Sequence, residues 1–105
     1  MKQGQNNICY GFFSTLANPT RLAILEQLQS GPLNVSRLAE LLEQEQSMIS
    51  HNLKLLERCH FISSSRTGKE KYVSLNLDVI DPLFELVESH AKRYCKGGED
   101  CFFKV

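Results

Sequence analysis

Residues 46–58, QSMISHNLKLLER, combine two different surfaces on one predicted helix. Ile49, Leu53 and Leu56 follow the i, i+4, i+7 spacing of a buried stripe. The opposite stripe is polar and consists of Ser47, Ser50, His51, Lys54 and Arg58. A merely solvated helix face usually carries Glu and Lys, because these residues favour helix whereas Ser and His do not. The polar stripe therefore indicates a face that another molecule approaches closely.

The residues before this helix predict two more helices. Asn18-Pro19 supplies an N-cap and a proline at the first helical position for a helix over 19–30, which Gly31-Pro32 ends. Asn34 can cap a third helix that ends near Glu43. A short polar connection then leads into 46–58, so the last two helices form a helix-turn-helix pair.

The two ends of the chain complete the predicted architecture. Apolar residues at helical spacing predict a first helix over 8–17. Residues 61–77, FISSSRTGKEKYVSLNL, favour strands and carry a turn at Thr67-Gly68-Lys69, which predicts a β-hairpin with a basic tip. Asp81-Pro82 predicts the start of a last long helix that runs to Gly97-Gly98. The fold class is thus mostly α with a small β-hairpin, a winged helix-turn-helix.

Length and composition restrict the class of protein. A chain of 105 residues with 42% hydrophobic and 23% charged residues predicts one folded domain over residues 1–105. A core this small gains stability from a subunit interface. No long apolar run is present, and the N-terminus lacks a basic region followed by a sustained apolar segment. We therefore expect a cytoplasmic protein with no membrane partner.

The distribution of charge points to nucleic acid. The formal net charge is zero, but residues 47–72 contain five cations against two anions. In a winged helix the second helix of the pair enters the major groove and the hairpin lies against the flanking backbone or minor groove. We therefore expect double-stranded DNA as a partner, contacted by the polar stripe and by Arg66 and Lys69 of the wing. The alternative is a solvated surface helix of an α+β domain.

The runs ANPTRLAILEQLQSGPLNVSRLAELL (17–42), QSMISHNLKLLERCHFI (46–62) and RTGKEKYVSL (66–75) closely resemble the ArsR/SmtB family of dimeric repressors. The resemblance implies a homodimer built by the first and last helices, which leaves its operator when a ligand binds. We expect that operator to be an inverted repeat. The matching recognition-helix positions are Ser47, Ser50, His51, Asn52 and Lys54. Glu43-Gln44-Glu45 replaces the usual Gly-hydrophobic-Ser turn, so the common serine cap is missing.

The regulatory signal depends on which ligands the chain offers. The family's thiol site near residues 33–38 is absent, and only His90 matches its last-helix zinc site, which is too few ligands. Cys95 and Cys101, in the tail 94–105, flank two glycines that let both sulfurs approach one ion. The third ligand of an arsenite, cadmium or lead site is then Cys9, because first and last helices meet at the family's dimer interface.

The same residues allow other interpretations. Cys9 or Cys95 could pair with Cys101 as a disulfide or polysulfide in a redox or sulfide sensor, or the tail could sense nothing. Cys59 is expected to be a partly buried core residue. Catalysis is disfavoured because adjacent Cys59-His60 point apart and no phosphate loop or acid pair accompanies them. A protein-interaction module is disfavoured because the polar stripe carries neither acids nor large apolar residues.

Overall fold

The computed structural model describes residues 3–95, and their elements follow the order of a winged helix-turn-helix. They are α1 (Gln3–Leu16), α2 (Pro19–Leu28), β1 (Leu33–Asn34), α3 (Val35–Leu42), α4 (Gln46–Arg58), β2 (Ile62–Thr67), β3 (Glu70–Leu75) and α5 (Leu77–His90). Residues Ala91–Cys95 continue α5 as a π-helical segment. The predicted fold class is confirmed, although α1 begins five residues earlier than the apolar spacing predicted. Within the described range, no helix has the length and apolar character needed to span a membrane.

Asparagine side chains fix the starts of the two helices that precede α4. Asn18 has extended backbone, and its Oδ1 accepts a hydrogen bond from the Arg21 backbone N at 3.0 Å, with Pro19 at the first helical position. Asn34 caps α3 in the same way, accepting from the Arg37 backbone N at 2.8 Å. Each cap of this kind contributes about 1 kcal/mol. Both predicted caps are confirmed.

Helix α4 has no side-chain cap at its start, whereas its C-terminal end has a defined capping motif. Glu45 makes no side-chain capping bond at its start, as the missing serine led us to expect. At its end His60 adopts a left-handed conformation with φ of 61°, and the Phe61 backbone N donates to the Leu56 carbonyl at 3.0 Å. This is the hydrogen bond of a Schellman motif, and both residues that it joins, Leu56 and Phe61, are fully buried in the core. Their burial therefore holds a non-glycine residue at a position that usually favours glycine.

The hairpin is part of a three-stranded antiparallel sheet. Strands β2 and β3 pair over their whole length around a turn in which Gly68 has a φ of 65°. Strand β1 adds to the other edge of β3, with Leu33 opposite Val73, so the sheet order is β1-β3-β2. The sequence did not predict β1, because a strand of two residues shows no alternation. Its pairing ties the start of α3 to the wing.

The last helix begins earlier than the sequence predicted. It starts at Leu77, and the predicted start at Asp81-Pro82 is wrong because Pro82 lies inside the helix. Asn76 is fixed just before the helix by a hydrogen bond from its backbone N to the Phe61 carbonyl at 3.0 Å. Ile80, one turn later, is fully buried. Packing onto the core therefore outweighs the preference of proline for the first helical position.

The core lies between α2, α3, α4 and the sheet, with the end of α1 and the start of α5 closing it. Its buried apolar residues are Leu16, Ile24, Leu25, Leu28, Leu38, Ala39, Ile49, Leu53, Leu56, Phe61, Ile62, Val73 and Ile80. The predicted buried stripe of α4 is confirmed, since all three of its residues are in this set. Helix α1, helix α5 and the π-helical segment are covered only in part, because Ile8, Val87 and Tyr94 are exposed. These two helices thus present apolar surface to solvent.

Replacing Pro82 with alanine tests where α5 starts. Pro82 is exposed and lies beyond the first turn, where proline lacks the backbone donor of a helical hydrogen bond and costs about 3 kcal/mol relative to alanine. The alanine variant has a more flexible unfolded chain, which offsets part of this gain. We expect Pro82→Ala to raise the free energy of unfolding by about 1–2 kcal/mol. Urea denaturation at fixed protein concentration, followed by circular dichroism, measures the change.

The matched control is Pro19→Ala, at the first position of α2, where proline is favourable. This variant should show no gain in stability. If Pro82→Ala is likewise neutral or destabilising, the helix begins at Pro82 and the described start is wrong.

Candidate nucleic-acid interface

The polar stripe of α4 faces solvent. Its predicted members Ser47, Ser50, His51, Lys54 and Arg58 are all exposed. All but Ser50 follow the spacing i, i+4, i+7, i+11, so they form a line along the helix on the side opposite the buried stripe. Hydrogen-bonding groups occupy the first half of this line and cations the second half. We call these four residues the reading line.

Asn52 is not part of this surface. Its side chain is 5% exposed, Oδ1 accepts a hydrogen bond from Arg21 Nη1 at 3.1 Å, and Nδ2 donates to the Met48 carbonyl at 3.0 Å. The prediction that Asn52 contacts DNA is therefore wrong, because both polar ends of its amide are used inside the protein. A periodicity signal was present, since Asn52 follows Ile49 by three residues and so lies near the buried stripe.

The acidic residue of α4 is held by the hairpin. Glu57 Oε1 accepts from Ser64 Oγ at 3.1 Å, and Glu57 Oε2 lies 3.6 Å from Lys71 Nζ. Arg66 stands opposite Lys71 in the strand register and two residues after Ser64, so it lies on the same face of the hairpin. The wing is thus tied to α4 with Arg66 on the side that faces the helix. The sequence did not predict this contact, because it joins a helix to a strand without a local pattern.

The combined surface of α4 and the wing is cationic. Lys54, Arg58, Arg66 and Lys69 are exposed. Across residues 3–95 none of the four has a carboxylate partner in an ion pair, whereas Lys71 is paired with Glu57. Unpaired cations attract a polyanion, and the neighbouring line of hydrogen-bonding side chains can contact donor and acceptor groups on its bases. Duplex DNA has both properties.

The cysteines are distributed over three parts of the fold. Cys9 in α1 and Cys95 at the end of the π-helical segment are half-buried, whereas Cys101 lies outside the described residues. Cys59 packs against the core with its Sγ 3.4 Å from Thr15 Oγ1, as expected of a partly buried core residue. In the described part of one chain, no three His, Cys, Asp or Glu side chains are placed to hold a metal ion. A site formed by Cys9, Cys95 and Cys101 stays a prediction.

Comparison with known proteins identifies the same architecture. The HTH-type transcriptional regulator NmtR of Mycobacterium tuberculosis is 45% identical over 85 residues, which cover 81% of this chain and 71% of NmtR. The transcriptional repressor SdpR of Bacillus subtilis is 35% identical over 68 residues, 65% of this chain and 76% of SdpR. The solution structure of the homodimeric winged helix-turn-helix domain of Mb0332 from Mycobacterium bovis superimposes with a TM-score of 0.77 at 23% identity, covering 92% of this chain and 93% of that one, and shows the fold alone.

The family match covers the part of the chain that contains the reading line. A family model for bacterial regulatory proteins of the arsR family matches residues 18–64, from the cap of α2 into β2. This range includes the helix-turn-helix pair and Ser64, the β2 residue that donates to Glu57. With the identity to NmtR and the winged-helix fold, this match shows that the chain belongs to the arsR family of bacterial regulatory proteins, which are DNA-binding transcriptional regulators and not enzymes.

Proposed function

We propose that this chain is a homodimeric transcriptional repressor that places α4 in the major groove and the β2–β3 hairpin against the neighbouring backbone. The observation that carries the proposal is the exposed reading line on a helix whose acidic residue is bound by the wing. Ser47 and His51 can donate to base edges and phosphates, while Lys54 and Arg58 neutralise phosphates. Arg66 and Lys69 add cations from the hairpin. A cytoplasmic location, where bacterial DNA is accessible, is part of this proposal.

The apolar surfaces of α1 and α5 support the homodimer. Phe13 and Leu86 are 60% and 67% exposed, and a groove between the two helices is lined by Phe13, Leu83, Phe84 and Val87. Apolar area removed from water contributes about 25 cal/mol per Å², so a second copy that covers this surface stabilises a small domain substantially. A two-fold arrangement places two α4 helices at successive major grooves and predicts an inverted-repeat operator. SdpR, which is named a repressor, supports repression as the direction of control.

For the signal we propose a thiophilic metal or metalloid ion, of the arsenite, cadmium or lead type, bound by Cys9, Cys95 and Cys101. Cys9 lies in the middle of α1 and Cys95 ends the π-helical segment that continues α5, so both belong to the helices that carry the proposed dimer surface, and both are half-buried. Thiolates are the ligands that such soft ions prefer. Two described thiols are compatible with this donor set but do not complete it, so the third must come from Cys101 or a second subunit. An ion there would alter the packing that separates the two α4 helices.

The DNA contact is tested with Lys54→Ala. Loss of a phosphate-neutralising cation should weaken binding and reduce the slope of log affinity against log salt by about one for each subunit. Fluorescence anisotropy measures this on a duplex that the wild-type protein selects from a random library. The control is Lys92→Ala, because Lys92 is exposed on the π-helical segment and pairs with Glu88. Wild-type affinity and slope for Lys54→Ala would remove this residue from the interface.

The dimer is tested with Leu86→Glu. A carboxylate in an apolar interface loses hydration without a partner, so this variant should sediment as a folded monomer at concentrations where the wild type is dimeric. Ser65→Glu adds the same charge to an exposed position of β2, outside α1 and α5, and should leave the dimer intact. A dimeric Leu86→Glu protein would place the interface elsewhere, and a monomeric wild type would overturn the homodimer itself.

The sensor is tested by anaerobic titration of the reduced protein with arsenite and then with cadmium. We expect near-ultraviolet thiolate-to-metal absorption and protection of about three thiols for each ion bound. Cys95→Ser and Cys101→Ser should keep DNA binding and lose its release, whereas Cys59→Ser should retain both. No band and no protection would contradict metal sensing. Release by an oxidant with formation of a disulfide would assign the same cysteines to redox sensing.

A further inference from the structure

We propose that Arg21 and Asn52 form a positioning pair that fixes the orientation of α4 relative to α1 and α2, and so sets the sequence specificity of DNA binding. This inference rests on the proposed DNA-binding function and names two residues that act on it without touching DNA. Neither residue belongs to the reading line. Their hydrogen bond, Arg21 Nη1 to Asn52 Oδ1 at 3.1 Å, connects residues that lie 31 positions apart in the chain.

Arg21 is held at the junction of α1 and α2. Its backbone N donates to Asn18 Oδ1 at 3.0 Å, and its side-chain Nε donates to the Thr15 carbonyl at 2.6 Å. Thr15 lies in the last turn of α1, where carbonyl groups lack helical partners and carry partial negative charge. A guanidinium is a rigid planar fork of donors, so it fixes the positions of its two acceptors relative to each other. The end of α1 is thereby joined to the middle of α4.

Asn52 fixes the other side of this connection. Within the described range it is the polar residue that the structure buries, at 5% exposure. Its Nδ2 donates to the Met48 carbonyl of the same helix, which orients Oδ1 toward Arg21. Burying an amide costs desolvation free energy that an apolar residue at this position would avoid. The two hydrogen bonds that the Asn52 amide makes are therefore the reason for a polar residue here. Because a helix is rigid over this distance, a contact at Asn52 sets where neighbouring His51 and Lys54 point.

Orientation matters more for base contacts than for phosphate contacts. Hydrogen bonds to base edges weaken steeply when the donor angle or distance changes, whereas neutralisation of phosphates depends mainly on charge. A small rotation of α4 about its axis should therefore lower affinity for the preferred sequence and leave non-specific affinity almost unchanged. Helix α1 is part of the proposed dimer surface. A displacement of α1 would therefore shift the reading line through the same connection.

The test compares two affinities for each variant, one for the selected duplex and one for a scrambled duplex of equal length and composition. We expect Arg21→Met and Asn52→Leu each to lower the ratio of these affinities by about tenfold or more. The double variant should lose no more than the larger single loss, because both changes break the same bond. Asn52→Leu should keep its affinity for the scrambled duplex, since no charge is lost.

Two further variants separate positioning from general stability. Arg21→Lys keeps the charge, but one ammonium group does not reproduce the rigid fork, so the ratio should still fall while the protein stays folded. Thr20→Val is the matched control, because it removes the bond from Gln44 Nε2 to Thr20 Oγ1 at 3.2 Å, which also joins α2 to the helix-turn-helix turn. It should lower the melting temperature slightly and keep the wild-type ratio.

The outcomes distinguish the two levels of the proposal. A ratio within about twofold of wild type for folded Arg21→Lys and Asn52→Leu would overturn the positioning role and leave the proposed function intact. Equal loss of both affinities, in step with a lower melting temperature and shared by Thr20→Val, would also overturn it in favour of a structural role. If the wild type selects no duplex at all, the proposed function fails and the inference fails with it.

Discussion

Burial of one side of α4 is the constraint on which the rest of this structure depends. Ile49, Leu53 and Leu56 are almost completely removed from water, and α2, α3 and the sheet are arranged around them. The opposite stripe of α4 is polar and contributes nothing to the core, so the packing that stabilises the domain leaves the reading line exposed. The nature of that exposed stripe then decides what the surface can bind.

Hydrophobic packing decides which side of α4 faces the core, but it specifies the precise rotation of the helix less sharply, because dispersion and burial have little directional preference. Polar contacts supply the direction. Arg21 reaches Asn52 from the α1–α2 junction, and Glu57 is held from the other side by Ser64 and Lys71 of the wing. These contacts connect α4 to elements on both of its flanks. Apolar packing thus stabilises α4 in the domain, and a few directional hydrogen bonds and ion pairs position the donor groups of its reading line.

The division of apolar surface explains why a second subunit fits this domain. The core takes the last turn of α1 and the first turns of α5, while Phe13 and Leu86 are left exposed. The net stability of a domain of this size is a small difference between large opposing terms. Covering the exposed apolar surface of these helices with a second subunit therefore adds substantially to it. The proposed signal would act on the same two helices, which makes dimer packing the natural link between sensing and DNA release.

The sequence by itself determined the local elements that have a local cause. Helix caps come from Asn18-Pro19 and Asn34. Residues 46–58 place a buried stripe and a polar stripe on opposite sides of one helix, and Gly68 allows the left-handed backbone of the hairpin turn. These features follow from spacing and residue type, so the helix-turn-helix and the hairpin were predictable. The exposed positions of the reading line were predictable for the same reason.

Only the tertiary structure decided the features whose cause lies far away in the chain. Strand β1 exists because β3 offers it an edge, and α5 begins before Pro82 because Asn76 is bound to Phe61 and Ile80 is buried. Asn52 belongs to the interior because Arg21 reaches it from another helix. The spacing of Asn52 from Ile49 places it near the buried stripe but does not reveal its partner. The energy of such contacts depends on the simultaneous position of groups that only folding brings together.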